Sequence, residues 1–334
     1  MSKRPASPPS GEDRLIARHF RPLARHPGAL GLDDDAAVLA PPPGCDLVLT
    51  TDGIIAGVHV FPDDPADAVA RRALRVNLSD LAAKGAKPAG FLLAIALPAG
   101  TSDDWLSAFA RGLGADAEHY DCPLLGGDTD RTPGPLSVSI TAFGTLPTGT
   151  MVRRRGARAG DVLVVTGTIG DAALGLKLRQ DAGAGRTLTA AQRAHLLARY
   201  LLPEPRTRLA ETVRVAASAA LDVSDGLAGD LAKLCRASGV SAQVEVGQVP
   251  LSDAARALLA VEPALLERVL TGGDDYEILA AVPAGNVERF RAGAAAAGIP
   301  VTEIGRVESG DAAPLFIGSD KRPLAFEQPS FSHF

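Results

Sequence analysis

The chain of 334 residues is poor in cysteine, methionine and aromatics: three Cys, two Met, one Trp, and 4% Phe, Trp and Tyr together. Cys45, Cys122 and Cys235 are odd in number, far apart and without a CxxC spacing. That excludes a disulfide framework and a cysteine zinc site, and it fits a reducing cytosol. An excess of positive charge is also missing. Lys and Arg total 34 against 39 Asp and Glu, a net charge of −5, with Arg outnumbering Lys 28 to 6. No basic field recommends nucleic acid as a partner. The longest central apolar run, 89–102, is 14 residues long and broken by Pro98 and Gly100, too short to span a bilayer. The N-terminal MSKRPASPPSGED has no apolar signal core, so residues 1–12 read as a disordered tail and the protein as cytoplasmic.

Familiar catalytic strings are missing too. There is no GxxxxGK[ST] loop, no HRD/DFG pair and no HExxH. The string from Gly112 through Gly114 to Ala117 imitates a dinucleotide motif, but it sits inside a helical pattern instead of after a strand. Helix glycines are the better reading.

What remains suits a globular chain with a real core, 46% hydrophobic and 22% charged. At roughly 150 residues per domain the length suggests two domains. Ser10 and Asp13 form a capping-box start to a helix whose inner face is Leu15, Ile16, His19, Phe20 and Leu23. Strands are predicted over 37–40 and 45–52, a helix over 66–86, a strand over 89–97, a helix over 103–119, and strands over 122–125 and 136–146. A turn-rich basic stretch, 147–161, then breaks the pattern. The second half reads as a strand over 162–166, a turn and helix in TGTIGDAALGL and a helical region over 189–217. A strand–turn–helix over 219–238, a helix over 252–260 and a strand–helix–strand to about 307 follow. The alternation predicts an α/β (α+β) fold with a tail at 1–12 and two halves, 13–150 and 151–334. The halves echo each other in TTDG and VSDG, and in LLGGD and LTGGD. These echoes place acids beside glycines at strand ends, where ligands gather in such folds.

Asp33, Asp34, Asp35, Asp52, Asp80, Asp128, Asp222, Asp225, Asp274 and Asp275 stand out, most of them in apolar or Gly/Ser/Thr-rich surroundings. A single strand-end Asp is ordinarily a turn former or a cap. Asp225, ahead of Leu227, Leu231 and Leu234, stands where an N-cap belongs. Asp80 is different. Val69, Ala73, Val76 and Asp80 follow helical spacing, which puts the carboxylate on an apolar face while Arg71, Arg72 and Arg75 point elsewhere. A buried acid needs a partner, and no interleaved cation supplies one. Thr50 and Asp52 share one strand face. Carboxylates and hydroxyls without His or Cys suit a hard cation, Mg²⁺ above all, carrying substrate phosphates.

Seven motifs now stand in order along nearly the whole chain: GLDDDAAVL, LTTDGIIAGVH, NLSDLAAKGAKP, LLGGDT, RRGARAGDVLVVTGTIGDAALGL, LDVSDGLAGDL and GGDDYEI. The set closely resembles the thiamine-monophosphate kinase family. That family lies within the ATP-binding superfamily that includes aminoimidazole ribonucleotide synthetase, selenophosphate synthetase and a hydrogenase-maturation factor. The resemblance implies an N-terminal α/β domain whose strands pair across a homodimer into a β-barrel, and a C-terminal α+β domain. It implies magnesium ligands at Asp35, Thr50, Thr51, Asp52, Asp80, Asp128, Asp222 and Asp225. ATP contacts would fall at Gly127, Asp128, Arg154 and Ser224, and thiamine monophosphate contacts at His59, Asp274 and Phe331. Some positions depart from the family pattern: Asp33 replaces a Gly, Val60 a common Phe, Asp274 a common Glu, and Phe331 a common Tyr or Trp.

The implied chemistry agrees with the residues. A phosphate acceptor has a second pKa near ~6 and is already anionic at neutral pH, so no general base is assigned. What must be overcome is repulsion between two anions, which cations and Arg relieve. Taken without the family, His59 would read as a structural histidine, Arg153–Arg155 as a solvated loop and Phe331 as a cover for a core edge. Another enzyme of the superfamily is the alternative. The selenophosphate type needs an N-terminal Cys or selenocysteine and a Lys, whereas the first forty residues hold no Cys and Lys3 lies in the tail. The hydrogenase factor ends in Cys, whereas this chain ends His333-Phe334. GGDDYE and NLSDLAAKGAKP disfavour the aminoimidazole type. A non-catalytic metal-binding protein would show metal stabilisation without nucleotide turnover.

Overall fold

A computed structural model describes residues 10–181 and 183–331. Most of the predicted tail, with Lys3, lies outside the described residues, as do His333 and Phe334. The chain divides into two compact units. One holds the chain up to Pro42 with Leu49–Asn77 and Pro88–Phe143; the other holds Pro43–Val48, Leu78–Lys87 and the chain from Gly144 onward.

α1 (Gly11–Leu15) starts at the predicted capping box. Asp13 N–H donates to Ser10 Oγ at 3.0 Å, and Ser10 N–H donates to the Asp13 carboxylate at 2.7 Å. A π-helical turn and a 3-10 turn carry the chain on to Leu23 and bury His19 and Phe20. β1 (Cys45–Ile55), α2 (Ala66–Ala83), β2 (Lys87–Pro98), α3 (Asp103–His119), β3 (Leu124–Thr132) and β4 (Ser137–Pro147) follow. The strands order as β1-β4-β2-β3, with β2 and β3 parallel. Ser102 caps α3 through the Trp105 N–H, and Asp103 and Asp104 in its first turn complement the helix dipole. At Gly112 a Cβ would stand 2.5 Å from the Asp67 carbonyl, so glycine is what lets α3 approach α2. The helix reading of that string holds.

One expectation is corrected here. Residues 37–40 form no strand: Val38 N–H bonds the Gly28 carbonyl at 2.8 Å, and Pro41–Pro43 supply no N–H for a ladder. The arginines of α2, expected to point away from the Asp80 face, do so into protein. Arg72 and Arg75 are 2% and 7% exposed. Arg75 holds the buried Asp116 of α3 at 2.5 and 3.0 Å, and Arg71 joins at 3.1 Å. A bidentate guanidinium can enter a core because its partner enters with it.

The second unit contains β5 (Val162–Thr166), α4 (Asp171–Gln180), α5 (Ala190–Leu201), α6 (Ala210–Ala216), β6 (Ala219–Asp222), α7 (Leu227–Ser238) and β7 (Ser241–Glu245). It continues with α8 (Asp253–Val261), α9 (Leu266–Thr271), β8 (Ile278–Val282), α10 (Val287–Ala297), β9 (Val301–Glu308) and β10 (Leu315–Ile317). Its six strands order as β10-β7-β9-β5-β8-β6. β5 runs antiparallel to both β8 and β9, and β10 parallel to β7. Alternation sends Leu163, Val165, Leu221 and Leu279 into one apolar cluster and Val162, Val164, Ala220 and Ala280 into another. Both faces are covered, which is why β5 reads as an unbroken apolar run. Burial pushes the Cys122 thiol up to about 12 and the Cys235 thiol up to about 11, so neither is a nucleophile near neutral pH. Among the described residues no helix is long and apolar enough to cross a membrane.

Candidate functional site

In the first unit Asp35 and Asp128 line one cavity of about 820 Å³, together with Asp34, Gly127, Thr129 and Thr141. Gly127 and Asp128 lie on β3, paired with Leu93 and Ala94 of β2. The additional acid at Asp33 is taken up by Arg21, 2.5 Å away. Thr50, Thr51 and Asp52 lie on β1. Thr51 faces away from Thr50 and Asp52; its hydroxyl donates to the Ile140 carbonyl and accepts from Thr141, both at 3.1 Å. β1 and β3 are opposite edges of the sheet, three strand spacings or ~14 Å apart. In one chain, therefore, Asp52 and Asp128 belong to separate groups. His59 is held by its own turn: its Nδ1 accepts the Ile55 N–H at 3.1 Å, and its backbone N–H donates to the Ile55 carbonyl at 2.9 Å.

In the second unit the chain brings Asp80 and Asp222 together. Burial, then the neighbouring charge of Asp80, push the Asp222 carboxyl up to about 8, against a hydrogen bond from Ser79 and the charge of Lys84. Sequence reasoning missed Lys84, which stands one helical turn after Asp80 and donates to the Ala220 carbonyl at 2.8 Å. Desolvation lowers its pKa, Asp222 and Asp80 oppose that, and Arg154 adds to it. Asp80, expected to lack a cation, thus has Lys84 beside it at the i+4 spacing that could have revealed it. Arg154 itself is exposed.

Asp225 is not the cap of α7. That position is Gly226, with no side-chain bond. The fastening is done by Asp230, 2% exposed, whose Oδ2 accepts the N–H groups of Ser224 and Asp225 at 3.0 and 2.8 Å. Lys233 bonds both Asp225 and Asp230. Burial works against the Lys233 charge, but those hydrogen bonds outweigh it and its pKa is raised.

The Gly272–Tyr276 turn is zipped to the same loop. Asp274 N–H donates to the Ser224 carbonyl at 2.8 Å, and Tyr276 N–H to the Val223 carbonyl at 2.9 Å. Gly273 has φ 73° and a Cβ there would fall 2.3 Å from the Ser224 carbonyl, so no other residue fits. Asp274 and Tyr276 are also left-handed, at φ 65° and 53°. Phe331, half exposed at its side chain, is tied in by its N–H to the Asp225 carbonyl at 3.0 Å. Ser224, Asp225, Asp274 and Phe331 therefore converge. Beneath the turn, buried Glu277 is gripped by Arg199 at 3.0 Å and Arg206 at 2.5 Å, a pairing the sequence did not announce.

Asp275, also buried, accepts the Gly170 N–H through both oxygens at 2.9 Å. Desolvation raises its pKa well above the ordinary carboxylate value, opposed by that hydrogen bond and by Arg199. Folding therefore favours its protonated form. Its contribution to stability is complete below the unfolded pKa of ~3.9 and is lost as pH rises through the folded value. Asp275→Asn keeps an acceptor for Gly170 and removes the charge. Its Tm should exceed that of the native chain at pH 8, with the advantage gone near pH 4. An equal offset at both pH values would contradict the assignment.

Among the described residues no group of three or more His, Cys, Asp or Glu side chains is close enough to hold a metal ion. The donors form smaller sets: Asp35 with Asp128, Thr50 with Asp52, Asp80 with Asp222, and Asp225. All are oxygen donors. Asp80 opposes ionisation of Asp222, and a hard divalent ion bound between them would favour both carboxylates in their charged form, so the chemistry fits such an ion.

Comparison with known proteins gives matches over both halves of the chain. Residues 33–146 match the family described as AIR synthase related protein, N-terminal domain, and residues 158–317 match AIR synthase related protein, C-terminal domain. The chain is 47% identical over 324 residues to a thiamine-monophosphate kinase of Caulobacter vibrioides, covering 96% of this chain and 90% of that one. Among solved structures, a thiamine-monophosphate kinase from Stenotrophomonas maltophilia aligns with a TM-score of 0.81 at 40% identity, covering 92% of this chain and 95% of that one. AaThiL complexed with AMPPCP and TMP aligns at 0.77 and 29% identity, over 90% of this chain and 91% of that one.

Proposed function

Because the chain belongs to the AIR synthase related family, and within it to the thiamine-monophosphate kinases, we propose that it transfers the γ-phosphoryl group of ATP to thiamine monophosphate, giving thiamine diphosphate and ADP. The observation that carries this reading is likeness at 47% identity over 96% of the chain. The step serves the biosynthesis of thiamine diphosphate.

Asp35, Thr50, Thr51, Asp52, Asp80, Asp128, Asp222 and Asp225 would hold several Mg²⁺ ions. When bound, such ions neutralise charge on the transferring phosphoryl group. Gly127, Asp128, Arg154 and Ser224 would receive ATP. Exposed Arg154 can reach a phosphate without leaving a buried partner behind. His59, Asp274 and Phe331 would receive the acceptor. His59 Nδ1 is engaged by Ile55, so a substrate contact would come through Nε2. No side chain need take a proton from a phosphate that is already ionised. Turnover should require Mg²⁺, ATP and thiamine monophosphate together, read as ADP release. Release with aminoimidazole precursors or selenide in place of thiamine monophosphate would overturn the assignment.

The domain division is placed near residue 150, with 13–150 as the nucleotide, metal and dimerisation domain and 151–334 as the α+β domain. A homodimer is supported by the edge strand β1, where Leu49 is 61% exposed, since a second copy pairing there would close the sheet toward a barrel. Sedimentation at micromolar concentration should give a dimer; a monomer would contradict it. A cytoplasmic setting is supported by three cysteines that are all free.

A further inference from the structure

The proposed machinery uses Asp225 and gives Lys233 no task. Lys233 lies on α7 one turn beyond Asp230, and helical side chains lean toward the N-terminus, so its head returns over the start of the helix. There its ammonium donates to Asp230 Oδ1 at 2.8 Å and also to the Asp225 carboxylate. Asp230, through its other oxygen, holds the N–H groups of Ser224 and Asp225. One brace thus fixes both the backbone and the carboxylate of Asp225, and a cation already sits on that carboxylate. A divalent ion arriving at the Asp225 Oδ2 that the ammonium occupies would stand within a few ångströms of a like charge, and displacing the ammonium relieves that repulsion.

Resting on the reading of Asp225 as a magnesium ligand, we propose that Lys233 is a positioning residue: a resident cation that holds Asp225 ready and yields it when the divalent ion loads. Metal binding by the nucleotide-free protein is then weaker than its acids alone would make it, because each loading event breaks an ion pair. Lys233→Met should tighten binding, and Lys233→Arg should stay near the native value.

The test uses the full chain without nucleotide and Mn²⁺ as the paramagnetic probe, with free ion read by electron paramagnetic resonance. Lys233→Met should lower the Mn²⁺ Kd about tenfold through removal of one adjacent unit charge. Asp225→Asn should raise it. If Asp225→Asn raises Kd but Lys233→Met leaves it unchanged or higher, Lys233 is only a structural brace and the inference fails while the metal reading stands. If Asp225→Asn changes nothing, the metal reading at Asp225 fails with it. A second measurement needs no variant. The chain has six lysines, so reductive methylation mapped by mass spectrometry resolves each of them. Adding Mg²⁺ should speed methylation of Lys233 relative to Lys177 and Lys321, whose partners Asp181 and Glu245 lie outside the site. No relative increase overturns the displacement.

Discussion

Asp80→Asn is expected to lower Mg²⁺-dependent kcat by about 10²–10³-fold, the loss of several kcal/mol of charge stabilisation, while the protein stays folded. The amide keeps the size of the carboxyl and can still accept hydrogen bonds. What disappears is the charge that stands against Asp222. Without it, one cause of the raised Asp222 pKa is gone while Lys84 loses one of the two carboxylates that favour its charge; the two effects oppose, so the metal-free variant should melt close to the native chain. Lys84, one turn along α2, would then face Asp222 with less competing charge. Activity should therefore fall without a matching loss of stability, which a purely structural acid would not produce. Kinetics across an Mg²⁺ series with matched melting curves decide it. Native turnover at limiting Mg²⁺ would make Asp80 a structural residue.

Asp274→Asn should raise the KM for thiamine monophosphate by more than Phe331→Ala does, and neither should change the KM for ATP. The acceptor carries a cationic thiazolium and a flat aminopyrimidine, so its seat needs a negative charge and a flat or apolar wall. Asp274 is held left-handed on a turn whose approach to Ser224 only Gly273 permits, and Asn tolerates that backbone nearly as well as Asp. The substitution thus removes charge without refolding the turn. Tyr276 Oη donates to Asp274 Oδ1 at 3.3 Å, and an Asn oxygen can keep that bond. Phe331 presents an exposed ring anchored by its own backbone bond to Asp225. A cation–π contact there is worth about 0.5–2 kcal/mol, so truncation should raise KM roughly tenfold. Unchanged acceptor KM and kcat in both variants would place the acceptor pocket elsewhere.

The long, strongly periodic elements were legible in the sequence. The helix at 103–119 and the strand at 162–166 stand where the pattern put them, and the capping box at Ser10 forms as spelled. Misreadings arose where local pattern met tertiary contact. Residues 37–40 have strand composition but lead into three prolines. The α2 pattern separated its arginines from the Asp80 face but gave them no destination, and Asp116, more than forty positions away, draws two of them inward. β7, β10 and α9 are short, and their partners are distant in sequence. At the site, the motifs named the acids but not the cations that manage them. Lys84 and Lys233 were within reach of helix spacing from Asp80 and Asp230. The Arg199–Glu277–Arg206 grip was not, since nothing local links those positions.

Transfer from ATP chirally labelled at the γ-phosphate tests direct, metal-assisted phosphoryl transfer to thiamine monophosphate most closely. With its acids assigned to metal and substrate and none to covalent catalysis, the site predicts a single in-line displacement, so the thiamine diphosphate formed should carry the label with inverted configuration. Retention would require a phosphorylated protein intermediate, for which the converging residues offer no assigned nucleophile. Retention, or no labelled thiamine diphosphate at all, would contradict the account.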